Sequence, residues 1–492
     1  MSASGAAHEA ATPSDRSFTI ALSALALVAL AIRLWQASRT ELWFDEVFTL
    51  WIARMDWHGL VATAARDVHP PLHFAIVKLW RGLGGESSFW IKLTSVIPGV
   101  ALVVTIATLG RSMFGARAGL IAAALVAMHG DQVMVAQEAR AYVWLALSVW
   151  LAVGSAWRWV RDGRIGDGIG VVLAEALGLW SHYLAGAMFA CLFVWGVVAL
   201  LRTPRRIGHW IGLHLAVAAL FAPQLPTFIA QMRRQSGDHW VRHVSWGSLF
   251  TLARHTAFAS TVLLAPFMVL ATLPLARRGE RKAASLVWSL VLPVVGVMFA
   301  ITMAGGHLFT ERYMHWIMPG MCLVAAAGLA GLRTRWLAWV LVTAFVVQGA
   351  RVIAASPDPE ADHLAEAQHY LETRVGPGDA LVCADSHSLL YLRQHATRLP
   401  GAILLLPGEP LHYYEGSLVI PPEWMHQGTA LDSLAAARVR WWAVRTAHGG
   451  ASSEPAAALL ERAGGRIVLR HGESSVYEGP AGADTAGSEA AR

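Results

Sequence analysis

Trp43-Phe44-Asp45-Glu46-Val47-Phe48-Thr49 places two adjacent carboxylates a few residues beyond a long apolar run, Phe18 to Trp35. A charge costs several kcal/mol in hydrocarbon, so Asp45 and Glu46 belong at an interface or in a water-filled cavity. Wound as a helix, Asp45, Glu46, Thr49 and Asp56 share one side, and Trp43, Val47, Leu50 and Trp51 share the other. The pattern predicts an amphipathic helix on a bilayer surface with its carboxylates turned toward protein and water. A solvated helix anchoring a loop is the plainer alternative, and the flanking chain has to decide between them.

The chain of 492 residues is 55% hydrophobic and 15% charged, with a mean hydropathy of +0.46. Soluble globular proteins carry about 25% charged residues, so the composition indicates a polytopic α-helical membrane protein. The net charge of +6 does not mark a nucleic-acid binder, because no basic run is interleaved with aromatics and most arginines close apolar segments. Cys191, Cys322 and Cys383 offer neither a disulfide framework nor a zinc spacing.

Segments long enough to span recur near 18–35, 90–110, 118–136, 139–157, 167–181, 184–201, 208–224, 255–276, 284–304, 313–332 and 336–354, about eleven in all. A shorter run, Pro71 to Leu83, carries His73, Lys78 and Arg81 and reads as a juxtamembrane or re-entrant helix. With that choice the clusters Arg111/Arg117, Arg158/Arg161/Arg164, Arg202/Arg205/Arg206, Arg277/Arg278/Arg281/Lys282 and Arg333/Arg335 fall on the side of the N-terminus. The positive-inside rule then makes that side cytoplasmic. Residues 1–17 form a cytoplasmic tail, 18–354 the membrane module with an external loop 36–89, 355–480 an external α/β domain, and 481–492 a disordered end. Within the α/β domain, strands are expected at 378–385, 417–420 and 441–445, helices at 388–395 and 431–438, and a closing strand or hairpin at 465–478.

On this topology the polar oddities gather on the external face. They are Trp-Phe-Asp-Glu (43–46), His-Pro-Pro-Leu (69–72), Gln-Glu-Ala-Arg-Ala-Tyr (137–142), His182-Tyr183 and Glu311-Arg312-Tyr313. In this order and spacing the set resembles the polytopic GT-C glycosyltransferases, over roughly residues 18–350. The likeness is to the bacterial branch similar to protein O-mannosyltransferases and lipid A aminoarabinose transferases (glycosyltransferase family 39 or 83 type). The resemblance implies a GT-C fold in a bacterial inner membrane. It also implies an inverting transfer of a hexosyl or pentosyl group from a polyprenyl-phosphate-linked sugar to an acceptor protein, lipid or envelope polymer on the external face.

Such a transfer needs a carboxylate in reach of the acceptor hydroxyl and positive charge over the departing phosphate. Asp45 is placed to be the general base, and the resemblance favours it over Glu46, which serves as a second catalytic carboxylate or as a hydrogen-bond partner. His69, before Pro70-Pro71, either caps the next helix or faces the substrate cavity. Relatives often have an acid near this position, where a divalent cation is bound; Asp45 and His69 would be its ligands here. Glu138 and Arg140 pair structurally or meet the donor phosphate, and His182-Tyr183 forms an interfacial pair or lines the cavity. Arg312, between Glu311 and Tyr313, is the foremost phosphate ligand by its fork of donors, with an ion pair to Glu311 as the alternative. The loop 224–254, with Arg233, Arg234, Asp238, His239, Trp240, Arg242, His243 and Trp246, suits sugar stacking or interfacial anchoring.

Two other readings compete. A transporter or flippase of a lipid-linked sugar would explain the spans, but it predicts charge at the bilayer midplane, where Glu175 is the main instance. A scaffold protein leaves the shared sidedness of Asp45, His69 and Arg312 unexplained.

Overall fold

In the computed structural model, which describes residues 15–234, 244–355, 359–406, 411, 415–427, 429–446 and 453–480, the eleven apolar segments are mostly helical, with 118–136 broken at His129 and 255–276 at 257–260. The tails 1–14 and 481–492 and the loop residues Asp238, His239, Trp240, Arg242 and His243 lie outside the described residues. Among the described residues six helices are long and apolar enough to cross a membrane; a seventh candidate is Trp246–Thr256 with Thr261–Ala276, bent by 76°. Ala116–Met128, Ala185–Ala199 and Ile317–Ala330 are shorter apolar helices. The protein is a polytopic helical membrane protein with a small C-terminal sheet.

The chain divides into two compact units, the first comprising Met1–Gln36, Lys92–Gln137 and Ala141–Ala355. Its central element is Ile317–Ala330, in which every residue from Ile317 to Leu329 is buried. Close packing there depends on small residues: a Cβ on Gly328 would lie 2.1 Å from the Leu270 carbonyl oxygen, and such contacts drive helix association where lipid removes the hydrophobic incentive. Some polar side chains inside the bundle donate to backbone carbonyls. Trp150 Nε1 donates to the Trp316 carbonyl at 2.8 Å. The buried Arg33 donates to the carbonyls of Ala29 (3.2 Å) and Ala127 (3.4 Å), the latter at the negative end of Ala116–Met128. Glu175 faces His214, with Oε1 3.3 Å from Nε2.

The second unit comprises Ala37–Ile91, Glu138–Arg140 and Ser356–Arg492. It contains a six-stranded sheet: β1 (Ala380–Cys383), β2 (Ile403–Leu406), β3 (Met425–Gln427), β4 (Trp441–Thr446), β5 (Arg466–His471) and β6 (Ser474–Glu478). The order is β3-β2-β1-β4-β6-β5. The first four strands are parallel, and β6 runs antiparallel to β4 and β5. The β5–β6 turn requires Gly472, whose φ is 53°. The strand expected at 417–420 is absent: Gly416 to Val419 form a turn, and that side of the sheet is built from Ile403–Leu406 with Met425–Gln427 at its edge.

The loop 36–89, which the sequence assigns to the membrane module, shares a core with this sheet. Phe44, Val47, Phe48 and Leu50 pack in one cluster with Leu389, Leu390, Leu392, Trp442 and Val444. Val47 and Leu50 are wholly buried, each contributing about 1.5–3 kcal/mol of burial. The apolar side of the Phe44–Arg54 helix is therefore covered by protein and not by lipid. Asp56 does not share that helix's polar side either, since it caps the next helix by accepting from the Gly59 N–H at 2.6 Å.

Candidate functional site

The first turn of the Phe44–Arg54 helix is held by Glu46, whose Oε2 accepts from the Trp43 N–H at 3.1 Å. Its Oε1 accepts from the Ala139 N–H at 2.6 Å. Glu46 is wholly buried, so its carboxylate staples the segment 138–140 to the helix. Both oxygens receive backbone donors, as a buried carboxylate requires.

Arg140 follows on that segment, and the Glu138 carbonyl accepts from its N–H at 2.7 Å in a tight turn. The Arg140 guanidinium is buried; Nη1 donates to Thr49 Oγ1 (2.9 Å) and to the Asp45 carbonyl (3.2 Å). Thr49 in turn donates to the same carbonyl at 2.8 Å. Nε of Arg140 lies 3.9 Å from Oδ2 of Asp45, whose side chain is 23% exposed. Of the two adjacent carboxylates, then, Asp45 is partly exposed and Glu46 is wholly buried. A partly exposed carboxylate beside a guanidinium can take a proton from a hydroxyl brought within reach.

His69 does not cap the Leu72–Gly84 helix with its side chain. Its Nδ1 lies 3.0 Å from Oδ2 of buried Asp67, which also accepts from the His69 N–H at 3.3 Å. An acid, Asp67, thus stands two residues upstream and holds His69, where Arg66-Asp67-Val68 offers no periodic or motif signal. His73 is buried on the next helix and donates from Nε2 to the Ala139 carbonyl at 2.9 Å. Burial lowers its pKa to about 3, the hydrogen bond to Ala139 opposing and nearby Arg140 and His69 adding to the fall. It is neutral at ordinary pH. Lys78 reaches the Met55 carbonyl and the Ala53 carbonyl (3.4 Å), closing the negative end of the Asp45 helix.

Asp45 and His69, the ligands the resemblance offers a divalent cation, do not belong to a larger donor set. Among the described residues no group of three or more His, Cys, Asp or Glu side chains could hold a metal ion.

In the first unit a separate cluster forms around Tyr142. The Arg312 guanidinium lies 5.2 Å from the Tyr142 ring centre, a cation–π arrangement. His182 is 5.7 Å from Tyr142 and 5.5 Å, edge to face, from Tyr313. Three of the residues singled out in sequence are therefore neighbours. Tyr183 is not with them: its hydroxyl donates to Gln231 (2.6 Å) and accepts from Gln224 (2.8 Å). Glu311 turns to His255, with Oε2 3.7 Å from Nε2, and His255 Nδ1 meets buried Asp131 at 2.8 Å. Sequence reasoning misses Asp131 and His255, since a single titratable residue at the end of an apolar segment carries no pattern. From the loop 224–254, Arg233 and Arg234 end the Leu225–Arg234 helix, and Trp246 packs 5.2 Å from Phe299.

Residues 68–227 match the family model for dolichyl-phosphate-mannose-protein mannosyltransferases. No curated protein sequence matches the chain. Among solved structures, ArnT from Cupriavidus metallidurans in the apo state aligns with a TM-score of 0.62 at 15% identity, over 94% of this chain and 98% of that one. The same protein bound to undecaprenyl phosphate gives 0.61 at 15% identity over the same shares. The archaeal oligosaccharyltransferase AglB from Archaeoglobus fulgidus, with an inhibitory peptide and a dolichol-phosphate, gives 0.51 at 11% identity over 87% of this chain and 69% of that one.

Proposed function

We propose, on the ArnT-like GT-C fold, that this protein is an integral-membrane inverting glycosyltransferase using a polyprenyl-phosphate-linked sugar. Asp45 removes the proton of an acceptor hydroxyl as that oxygen bonds to the anomeric carbon. The bond from that carbon to the phosphate oxygen breaks, and the polyprenyl phosphate leaves with the electron pair. Arg140 and Thr49 hold the Asp45 turn, and Glu46 holds Arg140. The cluster of Arg312, Tyr313, Tyr142 and His182 is assigned to the carrier phosphate and sugar, with Arg312 offering the planar fork suited to phosphate. His69, fixed by Asp67, is assigned to substrate binding, as are Glu138, Glu311 and Tyr183. The reading places the enzyme in a bacterial inner membrane, N-terminus cytoplasmic, with Asp45 and the C-terminal sheet external.

The observation that carries this reading is the contrast within one pair: Asp45 is 23% exposed beside Arg140, whereas Glu46 is buried and spent on two backbone amides. A transporter of lipid-linked sugars is the second reading. It draws on Glu175 facing His214 within apolar helices, since intramembrane ionisable pairs line many transport pathways. Asp45→Asn in nanodiscs, given labelled polyprenyl-phosphate monosaccharides and an envelope extract, separates them. The variant is expected to bind donor as wild type does and to release no polyprenyl phosphate. Undiminished turnover by the variant would remove Asp45 from the mechanism, and bound donor that wild type never consumes would favour transport.

A further inference from the structure

The C-terminal sheet has a switch point between β1 and β4. The chain leaves β1 into the Ser386–His395 helix and on to β2 on one side, while β4 lies on the other. In open parallel sheets the crevice at the carboxyl ends of such strands is where ligands bind. Among the described residues the exits of β1 and β4 are tied together by one side chain. Asp385, wholly buried at the exit of β1, accepts from the Ser388 N–H (2.8 Å), the Ser388 hydroxyl (3.0 Å) and the Thr446 N–H at the end of β4 (2.8 Å). Its acceptor capacity is used in fixing the first turn of the Ser386–His395 helix. His387, in that turn, stacks on Phe44 with ring centres 3.8 Å apart and planes within 11°. Phe44 is buried, and a Cβ on Gly416 would already lie 3.4 Å from its ring.

Phe44 immediately precedes Asp45, and the two helices stay in register beyond the stack. Trp51 Nε1 and Arg54 Nη2 donate to Gln394 Oε1 at 3.3 and 2.8 Å, and His395 Nε2 donates to the Leu42 carbonyl at 3.0 Å. We infer that His387 is a positioning residue for Asp45: the switch point of the C-terminal sheet takes Phe44 in place of a ligand and thereby sets the turn that presents the base. This rests on the role proposed for Asp45. A ring stack at the first turn controls where the carboxylate points, and a misplacement of about 1 Å costs roughly 100-fold in rate.

Three forms of the full-length protein in nanodiscs test it: His387→Ala, His387→Phe and Asp45→Asn. In His387→Ala, turnover of a labelled polyprenyl-phosphate sugar is expected to fall roughly 10- to 100-fold, with donor KM within threefold of wild type. His387→Phe, which keeps a flat ring on Phe44, is expected to recover most of that loss. Independently of turnover, amide exchange of the peptide spanning 43–49 should quicken at least about tenfold in His387→Ala and stay near wild type in His387→Phe. Unchanged exchange in His387→Ala would overturn the inference, as would unchanged turnover in that variant beside a dead Asp45→Asn. Should Asp45→Asn turn over normally, the role of Asp45 falls, while the exchange result still decides whether His387 holds the turn.

Discussion

Replacing Glu46 by Gln changes almost nothing in shape and removes one thing, the ability to accept at both ends of the side chain. Glu46 accepts from Trp43 N–H at one oxygen and from Ala139 N–H at the other. The amide can satisfy one of them and must turn an NH2 group toward the other. The variant therefore loses a hydrogen bond to a charged group, worth about 1.5–3 kcal/mol, and leaves a buried donor facing a donor, for a combined local cost of roughly 2–4 kcal/mol. The weaker point is the segment 138–140, since Trp43 lies in the first turn of the same helix. Local opening of the Ala139 and Arg140 amides should quicken by roughly 30- to 1,000-fold in hydrogen exchange. Turnover should fall with it, because Arg140 rides on that segment to Thr49 and Asp45. Exchange in the C-terminal sheet should not change. If Glu46→Gln loses turnover while the 138–140 amides exchange as in wild type, Glu46 acts on the reacting atoms and the positioning role is wrong. If neither changes, the staple holds nothing.

Arg312→Ala should weaken binding of labelled polyprenyl phosphate by roughly 10- to 100-fold, the worth of one or two charged hydrogen bonds. Arg312→Lys should recover only part of it, lacking the planar fork, and unchanged affinity in the alanine variant would move the phosphate elsewhere. His73 sets a pH dependence, because its folded-state pKa is lowered to about 3 by burial. Below about pH 6.5 the unfolded chain takes up a proton that the folded chain refuses, so stability falls as pH drops from there toward 3. The total is of the order of 4–5 kcal/mol. The resistance of the 37–91 helices to thermal inactivation should follow that slope in wild type and lose it in His73→Gln, which keeps a donor for Ala139 without titrating; an unaltered slope in the variant would assign the effect to other groups.

The membrane helices were legible because hydropathy has a long period: the eleven apolar segments, 18–35 through 336–354, are mostly helical. The preference for Asp45 over Glu46 rests on resemblance, whereas the difference in burial between the two is tertiary. No local pattern says that the Ala139 N–H will meet Glu46. Asp67 escaped notice for a related reason, since its partner His69 is close in sequence but the pair forms no periodic motif. The amphipathic pattern of the Asp45 helix predicts a lipid-facing side, whereas protein covers that side and Glu46 and Thr49 on the other are buried as well. Hydrophobic periodicity reports that a face is buried and is silent on whether lipid or protein buries it. The sheet shows the same limit. Strands β1 and β4 stand out as apolar runs, whereas the three-residue edge strand β3 does not, and Ser417–Ile420 imitates a strand while forming a turn.

Adjacent residues on a helix are turned about 100° from each other, which gives a consecutive pair of carboxylates a use that a single one lacks. One can point into the protein and fix a strand of backbone at the helix's first turn while its neighbour stays at the edge. Glu46 points inward to the 138–140 segment, and that segment returns Arg140 to the neighbour's side of the helix, 3.9 Å from Asp45. The inward carboxylate thereby determines the charge environment of the outward one without touching it. Exchanging the pair (Asp45→Glu with Glu46→Asp) preserves composition and charge but shortens the staple by a methylene and lengthens the base by one. Because the staple spans a fixed gap to the Ala139 amide, the doubly exchanged chain should lose more turnover than Asp45→Glu alone. That ordering would not arise if the two carboxylates were interchangeable members of an acidic patch.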